Sequence, residues 1–343
     1  MGLIVVEQPG TFTTVQDTGR KLFQCVGVPE SGAVDKFSLR CANLLVGNSE
    51  DDPALEATLF GPRMRFDTDT VISVTGGDLG PLIDGRPVEN WQSIPVSSGS
   101  ILSFGGPRAG IRSYIGVAGG MFSESMDMVM GSYSTYVPGS FGGFNGRPLL
   151  QGDTFFLGQQ GDKPCEIKIL NNPPTFSDNV RLRVLLGPQE ELFSDDSFRI
   201  FTDSEYTVSM NSDRMGIRLE GAPLRHRSGA DVVSDGTAFG AIQVPGDGLP
   251  IILSADRGTT GGYAKIATVI SADHSLMGQL VPGNKIRFDI VTMLEALKAL
   301  ERQEFLLDSL RLEKRMPGFI SVSDYSVSVA TVDGNPVAIP GAE

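Results

Sequence analysis

Apolar runs in this chain are short, and glycine or proline closes most of them within a few residues. Val71-Ile72-Ser73-Val74, Ile101-Leu102-Ser103-Phe104 and Arg112-Ser113-Tyr114-Ile115-Gly116-Val117 each have the length and β-branched or aromatic content of a strand. Many such runs separated by turn signals predict a sandwich or barrel rather than βαβ units. Helical periodicity is rarer. Asp35 to Val46 places Phe37, Cys41, Leu44 and Leu45 on one face, and Gly47 stands where a helix would end. A shorter helix is predicted over Glu190 to Phe201. The clearest runs from Thr292 to Lys314, where Leu294, Leu297, Leu300, Phe305 and Leu306 form an apolar stripe.

The fold class expected is therefore mainly β with a few helices. Asn171-Asn172-Pro173-Pro174 breaks helix and sheet alike and sits inside a boundary region from Lys163 to Arg181. This divides the chain into a β-rich lobe over residues 1–165, a second lobe over 175–290, and an extension over 291–343. The extension would hold the long helix and a hairpin within Ile320 to Ile339, turning at Asp333-Gly334-Asn335.

Composition narrows the chemistry. With 28 Lys+Arg against 41 Asp+Glu, the net charge of −13 disfavours a phosphate backbone as partner, although a local arginine pocket stays open. The opening MGLIVVEQPG has neither the basic segment nor the apolar length of a signal peptide. No run approaches the roughly 20 apolar residues of a membrane span, so the chain reads as cytoplasmic. Cys25, Cys41 and Cys165 are scattered and odd in number, which argues against a disulfide framework. His226 and His274 are the only histidines and write no zinc pattern, so no metal is expected.

Candidate chemistry concentrates in Ser254 to Ser271, SADRGTTGGYAKIATVIS. Asp256, Thr260, Tyr263 and Lys265 crowd around glycines between two apolar runs, which reads either as a site on a rigid frame or as a charged turn. Lys265 abuts a buried strand. Desolvation there would suit it to act as a base, and the alternative is a strand-end lysine whose ammonium reaches water. Gln243, one strand earlier, is positioned to come near Asp256 or Lys265 across a hairpin. Asp213-Arg214 would hold a carboxylate or form a structural ion pair. Gln16 and Arg20, in TTVQDTGR, offer an amide and a guanidinium fork beside Asp17, or else a simple turn. Gly27 to Asp35 leads into the first helix either as an anion site or as a simple cap made by Asp35 or Ser31. Thr75 to Gly80 and Gly139 to Gly146 read as Gly-rich loops. No Walker A, Rossmann or serine-elbow pattern occurs.

Taken together, TTVQDTGR, GVPESGAVD, LEATLFGP, VTGGDLG, SDRMGIRLEG and GAIQVPGDGLPIILSADRGTTGGYAKIATVISAD resemble one family. It is the carboxyltransferase-like family of allophanate hydrolase subunit 2, KipA and the C component of 5-oxoprolinase. The resemblance implies cyclophilin-like β-barrel lobes and an allophanate hydrolase subunit 1 or KipI-like partner. It implies three readings. The first is a subunit of a heteromeric ATP-dependent amidohydrolase acting on a small amide or lactam, with a lactamase-like third subunit. The second is the carboxyltransferase component of a biotin-dependent, urea carboxylase-like enzyme. The third is a regulatory binding protein that antagonises a kinase inhibitor. ATP would be used by the complex, and biotin would come from another chain, because no AMKM-like sequence occurs here. Under the enzyme readings Lys265, Tyr263 and Asp256 are the catalytic candidates. Gln243, Thr260, Arg214, Asp213, Arg20 and Gln16 are the substrate-binding ones.

Overall fold

Strand periodicity governs the fold, as the punctuated sequence requires. The computed structural model describes residues 2–158 and 167–311, and the backbone of the strands Val327–Val332 and Asn335–Pro340. Two sheets form the first lobe. One has seven strands, with Leu3–Gln8, Arg63–Phe66 and Ile101–Phe104 at its centre; the other has five, with Ala109–Val117 between Ala54–Thr58 and Thr70–Asp78. Ile4, Val6, Phe66 and Leu102 from the first sheet meet Leu55, Ile72, Val74 and Ile115 from the second in one buried core.

The first helix, α1 (Lys36–Leu45), lies on the outside of the five-stranded sheet. Asp35 caps it by accepting from the Ser38 N–H at 3.0 Å. Close approach requires Gly116, because a Cβ there would stand 2.7 Å from the Ala42 carbonyl oxygen. Ser73 and Thr75 then donate to the Ala42 and Ser38 carbonyls, each at 2.6 Å. Thr75-Gly76-Gly77-Asp78 is accordingly strand, not loop. Its glycines serve packing, since a Cβ at Gly76 would fall 2.5 Å from the Arg112 carbonyl oxygen.

The second lobe is a closed seven-stranded barrel. Asn179–Leu186 pairs in parallel with Lys285–Ile290 and antiparallel with Lys265–Val269; Ala241–Gln243, Ile251–Leu253, Gly216–Glu220 and Tyr206–Val208 complete the ring. Leu182, Val184, Ile242, Ile252, Ile266, Ile286 and Phe288 fill it. The helix expected over Glu190 to Phe201 is split. A 3-10 turn, Glu190–Leu192, precedes α2 (Asp195–Asp203), because Phe193 between them is fully buried with extended backbone and Ser194 caps the new helix. A short α3 (His274–Gly278), not foreseen, follows the Lys265–Val269 strand.

The long helix is α4 (Met293–Asp308), started by a capping box between Thr292 and Glu295. Met1–Leu310 form one compact unit and Arg311–Glu343 another, so α4 belongs with the body rather than with the hairpin. Leu307 and Leu310 join Phe37, Cys41 and Trp91 in a small core, and Glu304 receives both terminal nitrogens of Arg40 at 2.6 and 3.0 Å. Burial of each leucine stabilises by roughly 1.5–3 kcal/mol, which is enough to hold the helix down. In the second unit Val332 pairs with Asn335, giving a hairpin across the expected turn. Lys163 to Glu166, including Cys165, lie outside the described residues, as do Lys314, Ile320 to Ser326, Asp333 and Gly334. Among the described residues no helix is long and apolar enough to cross a membrane.

Candidate active site

The SADRGTTGGYAKIATVIS segment is not one loop. A tight turn, Ser254 to Thr259, follows the barrel strand Ile251–Leu253. The chain then leaves the barrel as a short strand, Thr260–Tyr263, before Lys265–Val269 re-enters it. Thr260–Tyr263 pairs with Asp231–Gly236, matching Asp231 to Tyr263 and Asp235 to Gly261. These two strands make an arm outside the barrel. The arm lies directly over Gln243, because a Cβ at Gly261 would stand only 2.3 Å from the Gln243 Nε2.

Gln243 and Lys265 face each other across neighbouring barrel strands, so their side chains share one face. Both are buried, at 7% and 3% exposed. The Lys265 Nζ is 3.2 Å from Asp235 Oδ2 on the arm, its one ion pair among the described residues, and the Gln243 Nε2 makes no hydrogen bond there. Lysines that reach water by snorkelling expose the ammonium, and Lys265 does not. Gln189 ties strand and arm together: its Oε1 accepts from the Lys265 N–H at 3.1 Å, and its Nε2 donates to Asp235 Oδ2 at 3.3 Å. The Lys265 ammonium, with the Gly236 N–H, holds the Asp235 carboxyl below the usual carboxylate range. Tyr263 is 41% exposed and Thr260 is also exposed, both on the arm. Two buried donors at one place in a low-dielectric wall can stabilise an oxygen that gains negative charge.

The remaining candidates gather elsewhere, at the junction of the two lobes. Arg214 does not pair with its neighbour Asp213, which instead accepts from the Met215 and Gly216 N–H groups and closes a turn. Arg214 reaches Asp256 through Nε at 2.8 Å and Nη2 at 3.1 Å, Glu56 through Nη1 at 2.5 Å, and the Gly32 carbonyl at 2.7 Å. Its pKa rises despite burial because two carboxylates surround it. Asp256 also accepts from Ser31 at 2.7 Å, and Glu56 from Tyr114 at 2.7 Å and the Val34 N–H at 2.9 Å. Ser31 is held at φ 55, a left-handed conformation unusual for serine, to make its contact. Asp35, raised in pKa chiefly by burial, accepts from Gln279 at 2.9 Å. The Arg214, Asp256 and Gln279 side chains of the barrel are thus sewn to the first lobe.

Gln16 and Arg20 flank the same junction. Gln16 donates to Thr14 Oγ1 at 3.0 Å and the Thr135 carbonyl at 3.1 Å. Arg20, fully buried, donates to the Val129 and Ser134 carbonyls and lies over the Phe141 ring, 4.8 Å from its centroid. Burial pushes its pKa down, and Asp17 and Asp256 partly offset this. Asp17 completes its turn at the Gly19 N–H, 2.8 Å away, and also receives Ser132 Oγ and the Tyr133 N–H. The loops of Gly19 and Gly32 cross so closely that a Cβ on Gly32 would sit 2.9 Å from the Gly19 Cα.

The structure therefore sets Lys265 beside Gln243 under the arm that carries Thr260 and Tyr263 on exposed positions, and separately joins Asp256 with Arg214. Sequence reasoning passed over Asp235, Gln189 and Glu56, and Ser31, read as a helix cap, donates to Asp256 instead. Glu56 carried a signal, as the only charge within the buried strand Ala54–Thr58. Asp235 and Gln189 lie in exposed or irregular segments whose pattern gives none. A cavity of about 200 Å³ beside the linker, lined by Phe176, Asn179, Leu276 and Gln279 among others, touches none of the Lys265 group.

Gly76 and Gly77, the best candidates for a phosphate cradle, are packed against Arg112 and Gln279. Lys265 is too deeply buried to carry a covalently attached biotin.

Residues 26–290 match the family model described as the carboxyltransferase domain, subdomains A and B. The chain is 36% identical to the C component of Escherichia coli 5-oxoprolinase over 308 residues, covering 90% of this chain and 97% of that protein. It is 33% identical to urea amidolyase of Saccharomyces cerevisiae, over 90% of this chain but 18% of that much longer protein. The crystal structure of the Kluyveromyces lactis urea carboxylase superposes with a TM-score of 0.83 at 32% identity, covering 92% of this chain and 30% of that one. The barrel and mainly β architecture agree with this likeness, and the chain belongs to the carboxyltransferase domain family, subdomains A and B.

Proposed function

We propose that this chain is a subunit of a heteromeric ATP-dependent amidohydrolase of the 5-oxoprolinase type, and that the Lys265–Gln243 pair holds the carbonyl oxygen of a small amide or lactam. The observation that carries the reading is the buried pair itself: two donors on one face of the barrel, of which Gln243 Nε2 has no acceptor and Lys265 Nζ only the half-exposed Asp235 among the described residues. Its match in length to the Escherichia coli protein, against a fragment's share of urea amidolyase, favours this reading over the carboxyltransferase one.

In the proposed reaction water adds to the carbonyl carbon and the C–N bond breaks. The products are a carboxylate and an amine that takes up a proton. As the carbonyl oxygen gains charge, Lys265 and Gln243 donate to it; donors of this kind are worth on the order of 10²–10³ in rate. Tyr263, exposed on the arm, supplies the proton to the leaving nitrogen. Asp256 and Arg214 keep the lobes aligned rather than touch substrate. ATP would be bound and hydrolysed by another chain of the complex.

The test is co-purification with native partners, followed by ATP consumption that depends on 5-oxoproline. A KipI-like subunit together with a lactamase-like subunit, and loss of turnover in Lys265→Met, support the proposal. Recovery with a biotin carboxylase would replace it with the carboxyltransferase reading. A kinase inhibitor as sole partner would replace it with the regulatory one.

A further inference from the structure

The ion pairs of Lys265 are confined, among the described residues, to one acceptor that comes from outside the barrel. Asp235 is itself half exposed and rides on the arm, whereas Lys265 and Gln243 belong to barrel strands. Its strand is lightly attached. Register with Thr260–Tyr263 shifts between Asp231 and Asp235, Val233 is 92% exposed, and only Val232 packs against the barrel core. A glycine stands near each end of the strand. Gly229 adopts φ +120 in open space, and a Cβ on Gly236 would meet nothing within 4 Å. Asp235 also carries the group that amide hydrolysis creates, a carboxylate, and sets it against Lys265.

We propose that Asp235 is a displaceable internal carboxylate: it neutralises Lys265 between turnovers, yields its place to the carboxylate end of a ligand, and competes that ligand off again as the Asp231–Gly236 strand closes. This rests on the reading of Lys265 and Gln243 as the substrate site. Asp235 acts through Lys265 and is a positioning residue, not a catalytic one. A carboxylate ligand must displace the Asp235 contact at 3.2 Å, so deleting that contact should tighten carboxylate binding about tenfold.

The experiment uses the full purified chain and needs no partner. Lys265 is acylated with an amine-specific reagent and the modified peptide is followed by mass spectrometry, with acetate as the probe at constant ionic strength. Asp235→Asn is expected to raise the labelling rate about tenfold over the parent chain, and acetate is expected to protect it at about one tenth of the concentration the parent needs. Asp235→Glu should restore both values towards the parent's. Should Asp235→Asn melt early, Asp235→Ser serves in its place. Labelling unchanged by loss of the carboxylate, or equal acetate protection in both proteins, would overturn the proposal. Acetate protection governed by Asp235 alongside full turnover of the Lys265→Met complex would instead defeat the amidohydrolase reading and leave this inference standing.

Discussion

Two buried polar clusters in this molecule are built on opposite terms. At the lobe junction, Arg214 commits three nitrogens to Asp256, Glu56 and the Gly32 carbonyl, and the carboxylates are completed by Ser31, Tyr114 and the Val34 N–H. Beneath the arm, the Gln243 Nε2 keeps a donor without a hydrogen bond, and Lys265 has a single half-exposed counter-charge, Asp235. The first cluster leaves nothing over for a ligand. The second carries the cost of buried, poorly satisfied donors, a cost that protein interiors seldom tolerate without a use. Isolated unsatisfied atoms occur elsewhere, at Gln16 Oε1 and Arg20 Nη1 beside the junction among others, and what distinguishes the second cluster is two such donors on neighbouring barrel strands.

The largest expected effect lies at the junction. Arg214→Met leaves Glu56 and Asp256 buried without their cation, which should cost about 3–5 kcal/mol in a denaturant melt. A loss under about 1 kcal/mol would mean that the junction is not the structural half of the pair. Gly261→Ala probes the other cluster. Its Cβ would meet the Gln243 Nε2 at 2.3 Å, so the amide must move while the backbone stays unstrained. Turnover of the reconstituted complex is expected to fall on the order of 10²-fold from misplacement of the donor, with the melt shifted by less than about 1 kcal/mol. Equal losses in both readouts would erase the distinction between the clusters.

A smaller effect tests the barrel itself. His274, with Nε2 3.2 Å from the Val269 carbonyl oxygen and its ring edge-on to Phe239, has its pKa lowered to about 4, first by burial. Its folded pKa lies below the unfolded value of about 6.5, so the unfolded chain binds the extra proton between those limits. The stability held above pH 6.5 should therefore drain away towards pH 4, at up to about 1.4 kcal/mol per unit. Urea melts of His274→Phe across that window should show a shallower slope than the parent. The smallest change expected is at the cap of α4, where Thr292→Ala should cost about 1 kcal/mol.

Much of the fold was legible because it rests on local patterns. Short apolar runs became strands, and Asp35 and Thr292 stood where their helices begin. The break at Phe193 was not legible, because only the barrel interior requires that side chain at that point. The site was legible by half. Lys265 and Gln243 advertise themselves as polar residues in apolar strands, but Asp235 reaches Lys265 only through the register of an exposed, irregular strand. Arg214 beside Asp213 suggested a local pair. The partner it takes, Asp256, is 42 residues away, and long-range pairing leaves no mark in spacing.

The central claim is that the arm cluster serves turnover and not stability. Its most direct test is Lys265→Met, measured in parallel for melting temperature of the chain and turnover of the reconstituted complex. The account predicts turnover down by about 10²–10³ with a melting shift of no more than a few degrees. Undiminished turnover in a normally assembled complex would contradict it, as would a loss of activity that only tracks a collapse in stability.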